Sequence, residues 1–133
     1  FFKERWYGFD DALYAAARLC EVLSGDDRPP STVFAEIPCT VNTPELRIEM
    51  NEGEHHTLIQ ELVANGNFSG GSVCNIDGVR VDFEDGFGLA RASNTTPTVI
   101  LRFEADTTSA LERIQELYRA QILALRPTLT LPF

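Results

Sequence analysis

The spacing of apolar residues along the first part of the chain is helical. Over residues 9–23 they recur at three- and four-residue steps, and Asp10 and Asp11 stand at the start, where acidic side chains suit the positive end of a helix. Gly25 follows, and two prolines soon after it prevent continuation. We therefore predict one helix over residues 9–23, followed by a polar hinge.

Beyond the hinge, the period of the pattern changes repeatedly between two residues and three to four residues. The strict alternation of apolar and polar positions predicts strands, whereas longer amphipathic stretches predict helices. Asp85-Gly86 is a two-residue hairpin signal between two of the strands. The predicted strands are 45–50, 76–83, 87–91 and 98–105, and the predicted helices are 55–65 and a last one that Asp106 or Thr107 caps and Pro127 stops.

This order of elements predicts an α+β fold. Strands with one apolar face and helices with one apolar stripe fit a two-layer sandwich, in which two helices cover one face of a mostly antiparallel four-stranded sheet. We expect residues 44–133 to form this domain. Residues 26–43 would be a linker, and residues 1–25, with their helix, would be the tail of a preceding domain.

Composition restricts the class of partner. The chain has 133 residues, 44% of them hydrophobic, and a formal net charge of −9, with no cluster of basic residues. Nucleic-acid binding is therefore not expected. No apolar run approaches the roughly 20 residues of a membrane span. The three cysteines are widely spaced, which favours neither a disulfide framework nor a metal site and suits the cytoplasm.

The chain starts with Phe1, and its only methionine is Met50. We therefore expect it to be a fragment of a longer protein.

The pair His55-His56 at the start of a predicted helix is interpreted as a solvated helix end rather than a metal site, because no other ligand type stands at a suitable spacing.

The connection between the last two predicted strands is rich in groups that recognise phosphate. Arg91 offers a planar fork of donors, the hydroxyls of Ser93, Thr95 and Thr96 donate in adjustable directions, and Asn94 adds an amide. Successive backbone N–H groups of such a turn can also form an anion-binding nest. The same residues are ordinary turn formers, however, and Arg91 could instead pair with Glu84 or Asp85. The residues alone leave both interpretations open.

A resemblance adds to this reading. The run GFGLARASNTTP at residues 86–97, continued by TVILRFEA at 98–105, resembles the fourth, C-terminal domain of bacterial phosphomannomutase/phosphoglucomutase in the α-D-phosphohexomutase family. The stretch KERWYGFDD at residues 3–11 is similar to the end of that family's third domain, and LPF at 131–133 to its C-terminus. Phe87 is a departure, since close relatives often have Trp there.

The resemblance implies a role for particular residues. In that family the loop of the pattern Arg-x-Ser-Asn-Thr grips the substrate's phosphate group and helps to close the active site, which implies this role for Arg91, Ser93, Asn94 and Thr95. Thr96 is a weaker candidate. Phosphoglucosamine mutases typically carry Gly in place of Asn94, so the loop is similar to that of the hexose branch.

The resemblance also implies a parent enzyme. Such an enzyme interconverts hexose 1-phosphate and hexose 6-phosphate, of glucose or mannose, using a phosphoserine, Mg²⁺ and a glucose 1,6-bisphosphate intermediate. The implied partners are the hexose phosphate and the other domains of the same enzyme. The family's serine, metal and sugar loops have no counterpart in this chain, so we expect no catalytic residue, no metal ligand and no activity in the fragment alone.

Two other functions stay open at this point. One is a stand-alone sugar-phosphate-binding or regulatory α+β module without catalysis. The other is an interaction domain that docks through exposed Phe1, Phe2 and Trp6.

Overall fold

The computed structural model describes all 133 residues, which form two compact units, Phe1–Cys39 and Thr40–Phe133. The first unit holds helix α1 (Ala12–Ser24) and the short helix α2 (Pro30–Phe34). Asp11 caps α1 by accepting a hydrogen bond from the backbone N–H of Tyr14 at 2.9 Å, as the acidic start of the pattern predicts. Helix α2 was not predicted; Pro30 at its first turn has the backbone angle that a helix start requires.

Trp6 is half-buried and packed against other residues of the first unit. Its ring stacks on Tyr14 with 4.4 Å between centroids, and its indole N–H donates to the Asp11 carboxylate at 3.1 Å. Phe1, by contrast, is exposed. Of the three aromatic residues in the docking alternative, Phe1 and Phe2 are thus exposed, and Trp6 is engaged by its neighbours.

The second unit contains a sheet and two helices. Its elements in chain order are β1 (Val41–Asn42), β2 (Leu46–Glu49), α3 (Glu54–Asn65), β3 (Ser72–Cys74), β4 (Val79–Phe83), β5 (Gly86–Ala92), β6 (Thr98–Ala105) and α4 (Thr108–Leu125). Thr107 caps α4, its hydroxyl accepting from the N–H of Ala110 at 3.2 Å. The α+β fold class is confirmed, and the four predicted strands and both predicted helices of this unit are present.

All strand pairs of the sheet are antiparallel. Strands β3, β4, β5 and β6 follow one another, and both β1 and β2 pair with the free edge of β6. The sheet thus has two strands more than predicted, because β1 and β3 are only two and three residues long and too short for alternation to reveal. The hairpin turn lies one residue earlier than predicted, at Glu84-Asp85, because Gly86 already pairs with Phe83.

The core lies between one face of the sheet and the two helices. Alternate residues of the strands point into it, and helices α3 and α4 cover that face with one stripe each. Its fully buried residues include Leu58 and Leu62 of α3, Val79 and Val81 of β4, Leu101 and Phe103 of β6, and Ile114, Tyr118 and Ile122 of α4.

His55 belongs to this core, contrary to the interpretation as a solvated helix end. It is only 2% exposed, and its Nδ1 atom has no hydrogen-bond partner. The reason is its position: His55, Leu58, Ile59 and Leu62 are spaced so that they form one stripe on α3, and that stripe faces the sheet. His56, one residue later, is exposed.

Candidate functional site

The opposite face of the sheet is open and polar. The strand register aligns Arg91 of β5, Ile100 of β6 and Arg47 of β2 in one row across it. Their neighbours along each strand, such as Ala90 and Leu101, point into the core. The same alternation that buries one face therefore places these three side chains on the other.

The loop between β5 and β6 lies at the end of these two strands, next to that row. The N–H of Ser93 donates to the Thr98 carbonyl at 2.9 Å, and the N–H of Thr98 donates to the Thr96 carbonyl at 2.7 Å. Asn94 and Thr95, between these bonds, form the exposed tip of the loop. The loop is thus a tight hairpin connection held at both of its ends.

Ser93 organises the inside of this loop. It is 7% exposed, and its hydroxyl oxygen accepts hydrogen bonds from the N–H of Thr95 at 3.3 Å and from the Thr96 hydroxyl at 3.0 Å. The Thr95 hydroxyl lies 3.4 Å from the same oxygen. Local side-chain-to-backbone bonds of this kind stabilise a turn, and here they also collect three hydroxyl groups at one point.

Arg91 pairs with a residue that the sequence did not suggest. Its Nη1 atom lies 3.4 Å from Oδ2 of Asp77, in the connection before β4. The alternative in which Arg91 pairs with Glu84 or Asp85 is not observed: Asp85 lies in the turn at the opposite end of β5 and binds Arg113 at 2.5 Å. A single long contact to an exposed carboxylate is a weak interaction, so the guanidinium is held only lightly.

These residues border a surface cleft with a volume of ≈ 410 Å³. All four residues of the predicted phosphate loop line it, together with Thr96. Its wall includes residues that the sequence analysis missed, namely Glu45, Arg47, Thr98 and Ile100. Thr98 and Ile100 belong to β6, Arg47 belongs to β2, and Glu45 directly precedes β2. Only the pairing of these two strands, some fifty residues apart, brings Glu45 and Arg47 to the loop.

The chemistry of the cleft is that of binding. Its lining supplies two guanidinium groups, four hydroxyls, one amide and one carboxylate, that of Glu45. Arg47 pairs with Glu45, Nε at 2.8 Å and Nη2 at 2.7 Å from the same carboxylate oxygen. Such a donor set suits an anion with several oxygen atoms.

The residues present do not fit a magnesium site. No three His, Cys, Asp or Glu side chains come together anywhere in the chain, and the one carboxylate that lines the cleft, Glu45, is engaged by Arg47. Mg²⁺ prefers several oxygen ligands in an octahedral arrangement, which this cleft lacks.

The three cysteines are free, and no helix has both the length and the apolar character needed to cross a bilayer.

Comparisons with known proteins agree with the resemblance. The family model of the phosphoglucomutase/phosphomannomutase C-terminal domain matches residues 45–121. A phosphoglucomutase of Neisseria gonorrhoeae is 56% identical over 92% of this chain and 27% of its own length. A phosphomannomutase/phosphoglucomutase of Pseudomonas aeruginosa is 48% identical over 100% of this chain and 29% of its own length.

A comparison with solved structures gives the same result. The crystal structure of a phosphoglucomutase/phosphomannomutase family protein from Burkholderia thailandensis superimposes with a TM-score of 0.87 at 49% identity, over 100% of this chain and 28% of that one. The chain thus spans less than a third of the length of these relatives. Since the family model covers more than half of its residues, the chain belongs to the phosphoglucomutase/phosphomannomutase family, and its residues 45–121 match the family's C-terminal domain.

Proposed function

We propose that this chain is the phosphate-binding domain of an enzyme that interconverts hexose 1-phosphate and hexose 6-phosphate of glucose, mannose or both. The observation that carries the proposal is the convergence of Arg91, Ser93, Asn94 and Thr95 on one cleft. In this proposal residues 44–133 form the binding domain and residues 1–25 the end of a preceding domain. Residues 26–43 are the linker or hinge between them, and their last part contributes β1 to the sheet. The enzyme works in the cytoplasm.

The composition of the cleft suits a reaction in which the sugar reverses its orientation. A bisphosphorylated hexose presents a phosphate at either end, and the end that does not react needs a holder that accepts both orientations. Hydroxyls, an amide and guanidinium groups recognise the phosphoryl oxygens and make no demand on the ring. Such remote binding orients the reacting end and closes the active site over it.

Catalysis itself is assigned to the rest of the longer enzyme. The one carboxylate of the cleft, that of Glu45, is paired with Arg47, so in this proposal the Mg²⁺ ion, the phosphorylated serine and the turnover of glucose 1,6-bisphosphate belong to domains outside this chain. No step of the phosphoryl transfer is assigned to residues of this domain.

The expected affinity of the isolated chain is low. Charge-assisted hydrogen bonds contribute roughly 1.5–3 kcal/mol each. Three or four of them must first offset at least about 4 kcal/mol of lost translational and rotational freedom. We therefore expect glucose 1-phosphate to bind the chain with a dissociation constant in the millimolar range or weaker.

The test is a titration followed by amide NMR signals. Glucose 1-phosphate should shift the signals of residues 91–96, and glucose without phosphate should not. Arg91→Gln should weaken binding about tenfold or more, because a charge-assisted hydrogen bond is lost. Arg113 of α4, which pairs with Asp85 in the turn before β5, is the control, and Arg113→Gln should bind like the unchanged chain. Shifts that avoid the loop would refute the proposal.

A chimera tests the role in catalysis. This chain would replace the matching 29% of the Pseudomonas aeruginosa relative, with which it aligns over its whole length. We expect the chimera to convert glucose 1-phosphate, and Arg91→Gln in the chimera to lower kcat/KM without loss of folding. A mutase that keeps full activity with Arg91→Gln would favour the alternative of a separate binding or regulatory module.

A further inference from the structure

We infer that Arg47 is a second guanidinium of the phosphate cleft and that it gives the cleft its preference for a doubly charged phosphoryl group. This inference rests on the proposed function of the cleft. It adds a residue that lies outside the loop motif, on a different strand and about forty positions earlier in the chain.

The sheet register sets the geometry. Ile100 of β6 pairs with Arg47 on one side and with Arg91 on the other, so the two arginines are two strands apart and point to the same face. Neighbouring strands are about 4.8 Å apart, which puts the two backbones about 10 Å from each other. Both long side chains line the cleft above Ile100, and a phosphoryl group seated there lies between two cations.

Each arginine now holds an exposed carboxylate that a ligand can replace. Arg47 binds Glu45, and the two side chains are 66% and 43% exposed; Arg91 is lightly paired with Asp77. Exposed ion pairs contribute little, typically between zero and about 1 kcal/mol. A phosphoryl dianion offers more charge and three acceptor oxygens, so it competes well for both guanidinium groups.

Two cations around one anion distinguish a dianion from a monoanion. A phosphate ester carries close to two negative charges at pH 8, because its second pKa is about 6, whereas a sulfate ester of the same shape carries one. With both arginines present, the extra charge of phosphate interacts with two partners. When Arg47 is removed, the extra charge of phosphate interacts only with Arg91.

The experiment compares glucose 6-phosphate with glucose 6-sulfate at pH 8, titrated into the 133-residue chain and followed by NMR. We expect Arg47→Gln to weaken phosphate binding about fivefold to tenfold and sulfate binding no more than about twofold, as the loss of one charge contact predicts. Arg47→Lys, which keeps the charge but loses the fork, should fall between the two. The Nε–H signal of Arg47 in the unchanged chain should shift on addition of phosphate.

The matched control is Arg102→Gln. Arg102 lies on the same face of β6 as Ile100, two residues further along, but does not line the cleft. The Arg102→Gln variant removes the same charge from the same surface. An equal loss of phosphate affinity in Arg47→Gln and Arg102→Gln would show that the general electrostatic field of the surface is the cause, and it would overturn the inference. A static Arg47 Nε–H signal during saturation by phosphate would overturn it as well.

The outcomes separate this inference from the function on which it rests. If Arg91→Gln abolishes binding while Arg47→Gln leaves the ratio of phosphate to sulfate affinity unchanged, the inference fails and the proposed function stands. If neither variant changes binding, or if phosphate binds elsewhere, the proposed function itself fails.

Discussion

The contact between Tyr118 of α4 and Gly88 of β5 leads to a quantitative prediction. Tyr118 is fully buried, and its ring packs against Phe68 and Phe103 with 4.8 Å and 5.3 Å between ring centroids. Its hydroxyl donates to the Gly88 carbonyl at 2.7 Å and lies 3.1 Å from the Val79 carbonyl. Burial raises the pKa of this hydroxyl above its ordinary value.

The perturbation is Gly88→Ala. A Cβ atom at this position would lie 2.3 Å from Cε2 and 2.9 Å from Cζ of the Tyr118 ring, well inside van der Waals contact. The ring is enclosed and has no open space to move into. Forcing extra volume into a packed core costs about 1–3 kcal/mol, and displacing the hydroxyl from its acceptors costs about 1 kcal/mol more. We expect a loss of about 2–4 kcal/mol in the free energy of unfolding.

The assay is urea unfolding followed by amide NMR signals of β5 and β6. A signal from the second unit is needed because the single tryptophan, Trp6, lies in the first unit and would report on that part of the chain. With a slope of about 2 kcal/mol per molar urea, the midpoint should fall by about 1–2 M.

A double-mutant cycle tests the cause. In the background of Tyr118→Leu the ring is absent, so Gly88→Ala should cost less than about 1 kcal/mol, and the two changes should be strongly coupled. Equal costs in both backgrounds would refute the clash as the explanation. A neutral Gly88→Ala in the unchanged chain would refute it more directly.

Three further predictions concern the cleft and the core. Ser93→Ala should lower the free energy of unfolding by about 1 kcal/mol and weaken phosphate binding, because Thr95 loses its acceptor; unchanged urea and NMR titrations would contradict this. Asp77→Asn should strengthen phosphate binding by about twofold to threefold, since a competing charge beside Arg91 is removed; weaker binding in the same titration would show that Asp77 orients the guanidinium instead. His55→Leu should leave the urea midpoint equal or higher, because a buried atom without a partner is removed; a loss of more than about 2 kcal/mol would reveal a hidden partner.

The sequence predicted the elements of the second unit because their signals are local. Alternation in residues 98–105 and the helical stripe of α4 each depend on neighbouring residues, so they need no knowledge of the rest of the fold. Strands β1 and β3 escaped because two or three residues carry no readable period. His55 was misjudged because a polar residue within an apolar stripe was read by its chemistry rather than by its position.

The loop residues of the cleft could be named from the sequence, but its wall could not. Arg91, Ser93, Asn94 and Thr95 form one short segment, whereas Arg47 joins them only through the pairing of β2 with β6. That pairing joins segments some fifty residues apart, and nothing local to residues 45–50 fixes which strand they meet or in which register. The alternation of apolar and polar residues over 45–50 indicates only the side of the strand on which Arg47 lies.

Strands β5 and β6 take part in both the cleft and the core, so the cleft and the core cannot vary independently of each other. Ala90 and Leu101 point into the core and pair with each other, while their neighbours Arg91 and Ile100 pair on the open face. A slip of one residue in this register would bury a guanidinium and expose a core residue, at a cost far above that of any surface change. The apolar half of each strand therefore fixes where the arginine stands, and the short loop needs to supply only the remaining donors.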